Sequence, residues 1–261
     1  MRIKELFVSK PAEKTRPAAA ALNIFLVCAA VVGIFWASLS AIGITFDFGF
    51  VGEFAPRIGS GFLMTIELSI CSLAASLIIG LLSALGQGSR IIALRYISNG
   101  YVKFIRGTPL IMQIYLFFYI VGTAWGITNN FVAGVLILSL FEGAYISEII
   151  RGSLISMEQS QLEAAKAVGF TRRQTAFYVM LPQLVSRTLP ALTGQFASII
   201  KDSSLLSLIA VIELTQTMRE ISASNFKLFE CYLLLGALYL VLTLPISLIS
   251  KRLERRFGYG D

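Results

Sequence analysis

Long runs without an ionisable side chain recur along this chain, and they restrict its fold more than any other feature. Ala18 to Ile44, Gly107 to Phe141 and Cys231 to Ser250 carry no charge, and Ile58 to Ser89 carries only Glu67. A bilayer core about 30 Å thick is crossed by about 20 mostly apolar residues in helical form. Inside it the backbone must satisfy its own hydrogen bonds, which a helix does. Composition agrees, with 56% hydrophobic and 14% charged residues and a mean hydropathy of +0.77. The chain is therefore expected to be an all-α integral membrane protein.

The run from Gly107 is too long for one helix, and Gly122, Gly126, Asn129 and Asn130 mark a turn inside it, with a further apolar run over 131–150. Thr188 to Ile212 is a further candidate despite Lys201 and Asp202. Six spans are predicted, at roughly 18–44, 61–86, 106–125, 131–150, 188–212 and 231–250. The expected organisation is a segment over 1–17, a first span over 18–44, a membrane domain over 57–250 that contains a long loop over 151–187, and a tail over 251–261. The first run is read as an uncleaved anchor, because its 17-residue polar lead and uncharged length exceed the usual signal-peptide pattern.

Basic residues orient the spans, since short cytoplasmic loops retain Lys and Arg. Eighteen of the 22 fall on one side of the six-span arrangement: Arg2 to Arg16, Arg90 to Arg106, Arg151 to Arg187 and Lys251 to Arg256. Arg57, Arg219 and Lys227 fall on the other, and Lys201 lies within a span. Both termini and the 151–187 loop are thus expected in the cytoplasm, with the chain multi-pass in the cytoplasmic (inner) membrane. The net charge of +7 follows from this topology and calls for no nucleic-acid partner.

Several chemistries are excluded. The chain has no His, which removes Ser/His/Asp and Cys/His nucleophilic machinery and the commonest metal ligand. Cys28, Cys71 and Cys231 lie in or beside apolar spans without CxxC spacing, and they read as buried thiols. No Gly is followed by Lys, so no GxxxxGK[ST] phosphate loop exists. Neither a metal site nor a cofactor is expected in this chain.

The 151–187 loop is longer than a connection requires. Ser160 with Glu163 has the spacing of a capping box, and Gly169 suits the position just past a helix. Thr171 with Gln174 repeats the capping spacing, so a second helix is expected to run toward Pro182. The plain reading is a capped, solvated linker. The functional reading is a rigid handle for a cytoplasmic partner, where Ala164 and Ala165 permit close docking.

Glu163-Ala164-Ala165, Gly169 and Val179-Met180-Leu181-Pro182 resemble the EAA loop of ATP-binding-cassette importer permeases. Arg106-Gly107-Thr108-Pro109-Leu110, Gly143 to Gly152, Leu181-Pro182-Gln183, Lys201 to Leu206 and Leu253 to Arg256 resemble the polar amino-acid branch of that family, the histidine/glutamine type. The resemblance covers about residues 57 to 257. Ser160 stands where the family usually has Gly before Gln161, and the first span has no counterpart in five-span members.

The resemblance implies a type I importer with a five-helix core plus one N-terminal helix. It implies a homo- or heterodimer with a second permease copy or a paralogue, two copies of an ATPase subunit that bind ATP and Mg, and an extracytoplasmic amino-acid-binding protein. Ser160, Gln161, Glu163, Ala164, Ala165, Gly169, Leu181 and Pro182 are then the ATPase-coupling residues. The permease itself would catalyse no hydrolysis. A secondary transporter would commonly show repeated halves, and none is visible; a scaffold would not require five ionisable groups within the membrane.

Those groups are Glu67, Glu142, Glu148, Lys201 and Asp202, and such residues usually face a bundle interior or a wet cavity. Glu148 has Arg151 three residues on, which predicts a structural ion pair. Glu142 has no basic residue at i±3 or i±4, so it finds a partner elsewhere or meets the substrate's amino group. Lys201 and Asp202 either pair with other helices or act at the gate, and Glu67 supports packing or subunit contacts. Pro109 disfavours helix at Thr108, so the third span is expected to begin there. Thr108 joins Glu142, Lys201 and Asp202 as a candidate for the translocation pathway.

Overall fold

The computed structural model describes residues 17–43 and 46–257, and among the described residues every regular element is helical. The chain divides into two compact units at Asp47 and Phe48. In the first, α1 (Pro17–Ile42) carries exposed Ile24, Phe25, Val32, Ile34 and Trp36, the pattern of a helix immersed in hydrocarbon. Residues 1–16 and 44–45 of the expected N-terminal segment and first span, and residues 258–261 of the expected tail, lie outside the described residues.

The second unit is built around two long helices, α2 (Phe50–Gln87) and α5 (Asn130–Ile155). Their facing surfaces carry small residues, so the two backbones approach closely, as membrane helices do where no hydrophobic drive holds them together. Ser139 donates to the carbonyl of Ser72 at 3.3 Å. A Cβ on Gly80 would stand 2.6 Å from Ile146, and one on Gly143 would stand 2.7 Å from Ile79. Buried Thr65, Ser69 and Ser76 continue the α2 seam, with Thr65 and Ser69 returning their hydroxyl protons to carbonyls one turn back.

Between them the chain makes a sharp corner. α3 (Ile92–Gly107) ends at Thr108, which is extended along with Pro109, and α4 (Leu110–Tyr115) restarts at an angle of 114° and continues as a π-helical turn over Leu116–Gly122. Pro109 has no N–H to continue α3 and forces extended backbone before it, as the sequence predicts. Within the expected span over 106–125 the helical stretch runs from Leu110 to Gly122, and α3 precedes it as the other arm of a bent pair. Buried Gln113 closes the corner, donating to the carbonyl of Ile105 at 2.7 Å and to the Thr108 hydroxyl at 2.8 Å.

After α5 come α6 (Gln159–Ala167) and α7 (Arg172–Gln174), which runs through a π-helical turn (Thr175–Met180) into α8 (Leu181–Asp202). The π turn falls just before Pro182, whose ring could not follow an ordinary helical turn. A 3₁₀ segment (Ser203–Ile209), α9 (Leu214–Asn225) and α10 (Leu228–Phe257) complete the unit.

Among the described residues four helices are long and apolar enough to cross a membrane, and the bent α3–α4 pair makes up to five. The fifth expected span, 188–212, is not one uniform helix, because α8 ends at Asp202 and the chain tightens into 3₁₀ geometry. Its contacts nonetheless run the length of α5. Arg187 donates to the carbonyl of Ser156 past one end of α5, Gln195 reaches Glu142 in its middle, and Asn130 reaches the carbonyl of Ala210 at the other end. This segment lies antiparallel to α5 and is partly covered by α5 and α10, so it needs less apolar surface than a lipid-facing span.

The cysteines depart from expectation as well. Cys231 is buried, whereas Cys28 and Cys71 are exposed, since a membrane helix can present apolar side chains outward. No disulfide forms among the described residues.

Candidate functional site

Two groups of polar residues occupy the α5–α8 pair, one at its middle and one where α8 begins. At the middle, Glu142 on α5 is fully buried, and its Oε2 accepts from Gln195 Nε2 on α8. Its Oε1 meets no N–H or hydroxyl donor among the described residues. The carboxyl of Asp202 lies within interacting range. Glu142 carries no salt bridge among the described residues. Two acids thus share a polar spot inside an apolar bundle, an arrangement that favours a cationic guest. Lys201 is exposed and forms no salt bridge among the described residues.

Thr108 lies in the α3–α4 corner, where its hydroxyl donates to Phe104 and accepts from Gln113. Glu67 is exposed on α2. Glu148 pairs with Arg151 at 2.8 and 2.9 Å, as the spacing predicts, and also with Arg106 of α3 at 3.0 Å. The ion pair is therefore a triad that ties α3 to α5.

The second group is the helix-elbow-helix over 159–180. α6 ends in two reverse hydrogen bonds, from Gly169 to Lys166 at 2.9 Å and from Phe170 to Ala165 at 3.0 Å, and Gly169 has φ +85°. This is the left-handed C-terminal turn that glycine adopts without penalty. A Cβ on Gly169 would meet nothing within 4 Å, so conformation rather than close approach selects the glycine. Thr171 and Gln174 form both bonds of the capping box, at 3.3 and 2.8 Å.

Ser160 is not the cap expected of it. Glu158 occupies that position two residues earlier, and Ser160 donates to the Glu158 carboxylate at 3.2 Å. Gln161 accepts from Gln183, which joins α6 to the start of α8. Ala165 is buried, while Glu163 and Ala164 face outward with Val168, Phe177, Tyr178, Leu181 and Pro182. Val168 at 76% and Tyr178 at 73% exposure are large apolar surfaces on a loop outside the expected spans.

The profile of the family described as "Binding-protein-dependent transport system inner membrane component" matches residues 76–259. The chain belongs to that family. The L-cystine transport system permease protein TcyB of Bacillus subtilis (strain 168) is 38% identical over 206 residues, 78% of this chain and 88% of that one. The glutamine transport system permease protein GlnP of Escherichia coli (strain K12) is 35% identical over 213 residues, 81% of this chain and 97% of its own.

Among solved structures, one titled "Crystal structure of an amino acid ABC transporter with histidines" superposes with a TM-score of 0.76 and 33% identity, covering 82% of this chain and all of that one. The MetNI methionine ABC transporter in inward-facing form shares the fold at a TM-score of 0.63 and 17% identity.

Three residues that hold this permease together are not marked by any sequence pattern. Gln113 locks the corner, and Arg187 joins α8 to the end of α5. Glu213 is fully buried as the N-cap of α9, accepting from the backbone N–H groups of Thr215 and Gln216 at 2.8 Å each and from the Tyr239 hydroxyl at 3.0 Å. Each is an isolated polar residue whose partners are distant or whose cap precedes an unremarkable helix.

Proposed function

We propose that this permease carries a polar amino acid into the cell, driven by a separate ATPase that docks on the helix-elbow-helix. The observation that carries the reading is mechanical continuity. An exposed, rigidly capped element over 159–180 runs unbroken into α8, whose other end meets the buried Glu142. The names of the curated relatives, cystine and glutamine permeases, support an amino-acid cargo. The excess of basic residues on one side supports cytoplasmic termini and a cytoplasmic coupling element.

In this reading Glu163, Ala164, Val168, Gly169 and Tyr178 present the docking face, with Ser160, Gln161, Leu181 and Pro182 around its base. Two ATPase copies bind ATP and Mg and close against two such faces, one from this chain and one from a second copy or paralogue. An extracytoplasmic binding protein delivers the cargo. Glu142 and Asp202 attract its ammonium group, while Lys201 and Thr108 stand along the same route. Movement of the handle shifts α8 against α5 and changes which side can reach the acids.

The test is purification of the tagged chain from mildly solubilised membranes, followed by reconstitution with its binding protein. An ATP-hydrolysing subunit should copurify, and uptake of labelled amino acid should require ATP. Uptake driven by a proton or sodium gradient without ATP would overturn the reading in favour of a secondary transporter.

A further inference from the structure

We propose that the cleft between α3 and the end of α5 binds the phosphate of an anionic phospholipid. The proposal rests on the cytoplasmic orientation given above. The cleft measures about 350 Å³ and is lined by Asn99, Lys103 and Arg106 from α3 and by Glu148 and Arg151 from α5. Three cations therefore surround one carboxylate.

Glu148 accepts from both arginines and holds their guanidinium groups side by side, and Arg106 also lies over the Tyr145 ring at 5.5 Å. The arginine side chains remain 43% and 44% exposed, so donors not used by Glu148 still face outward. Lys103 is exposed and forms no salt bridge among the described residues. Planar guanidinium donors beside a mobile ammonium suit a phosphate better than a zwitterionic amino acid, whose own ammonium these cations would repel.

The helix that carries the cleft is built for the membrane surface. α3 buries Ser98, Val102 and Ile105 against the bundle, while Lys103 and Arg106 stand beside exposed apolar Ile92, Tyr96, Ile97 and Phe104 on the rest of its surface. An exposed helix surface that mixes apolar and basic side chains suits the membrane interface, where long basic side chains extend to the headgroups. The 114° bend takes α3 out of line with the segment that follows. Basic pockets between helices on the cytoplasmic side are suited to anionic headgroups.

The experiment uses the complete transporter, delipidated in detergent and examined by native mass spectrometry with phosphatidylglycerol or phosphatidylcholine added. Phosphatidylglycerol should be retained in preference. Lys103→Gln should lower that retention about fivefold, the effect of one basic side chain at a membrane surface, while Lys103→Arg restores it. Arg95→Gln, outside the cleft, should leave it unchanged.

Equal retention of the two lipids, or unchanged retention by an assembled Lys103→Gln transporter, would overturn the proposal. Protection against heat by inorganic phosphate equal to that by phosphatidylglycerol would make the cleft a soluble-anion site and overturn the lipid assignment. Shielding of Lys103 from an amine reagent by the second permease subunit in the lipid-free complex would overturn it too. Labelling of Ser160→Cys in whole cells reports the orientation independently, so a wrong orientation and a wrong ligand give different readouts.

Discussion

Replacing Glu142 with Gln separates recognition of cargo from stability of the bundle. The wild-type carboxyl is fully buried, with Oε2 bonded to Gln195, Oε1 without an N–H or hydroxyl donor among the described residues and the Asp202 carboxyl beside it. The Gln side chain is nearly the same size. Its amide oxygen can keep the bond from Gln195, and its amide nitrogen becomes a donor toward the Asp202 side. A neutral amide is also cheaper to bury than a carboxylate, so stability should change by less than about 1 kcal/mol or rise.

Transport should respond in the opposite sense. An ammonium about 4 Å from a carboxylate gains about 4 kcal/mol at an effective dielectric constant near 20. Desolvation of the ammonium and the remaining charge of Asp202 offset most of this. A net loss of about 1.4 kcal/mol corresponds to a tenfold fall in uptake per folded transporter. Asp202→Asn should act similarly, and the double substitution should cost less than the sum, because the two acids serve one guest. Initial-rate uptake into proteoliposomes, normalised to reconstituted protein and set beside the melting temperature, gives both quantities. Unchanged uptake with a melting temperature lowered by several degrees would make Glu142 a packing residue and remove the proposed cargo site.

Gly169→Ala should cost about 1–2 kcal/mol locally, because φ +85° is strained for any residue with a Cβ, and Gly169→Asp adds a charge at the docking face. Both should insert normally and lose ATPase association or ATP-driven uptake; full uptake by Gly169→Asp would dismiss the elbow as a coupling device. Glu213→Gln replaces an oxygen that accepts from a backbone N–H with a donor, and should lower stability by about 1–3 kcal/mol in denaturation of the purified permease, whereas an unchanged transition would contradict the cap. In a cysteine-free background, Ser160→Cys should label from the cytoplasmic face and exposed Ser224→Cys from the outer face; the reverse pattern would invert the topology.

What the sequence revealed was set by how local each signal is. The apolar runs at α1, α2, α5 and α10 are long and carry few charges, so four helices could be read directly, and Pro109 announced the corner through its missing N–H. The 188–212 segment was harder to read, because α8 ends at Asp202 and is partly covered by neighbouring helices, so it lacks the continuous apolar surface of the other runs. The capping box at Thr171 was legible in full, yet the same pattern at Ser160 misplaced the start of α6, since the helix begins right after Glu158, whose side chain makes no capping bond to the backbone. Glu142 stood out as a lone acid in a span, but its partner Gln195 is 53 positions away, and no local spacing could connect them. Arg106 joined the Glu148 pair for the same reason, through a contact between helices 42 positions apart.

The unbroken helical path from Arg172 to Asp202 also sets a mechanical advantage. Arg187, bonded to the end of α5 through Ser156, is the natural fulcrum. At about 1.5 Å per residue, the arm toward Arg172 is about 22 Å long and the arm to Gln195 about 12 Å. A tilt of about 10° would then sweep the outer end by about 4 Å and Gln195 by about 2 Å. The inner stroke is enough to part Gln195 from Glu142, and halving the travel roughly doubles the force delivered there. A lever of this kind trades distance for force, which suits a step whose resistance is the breaking of a few short polar contacts in an apolar surrounding.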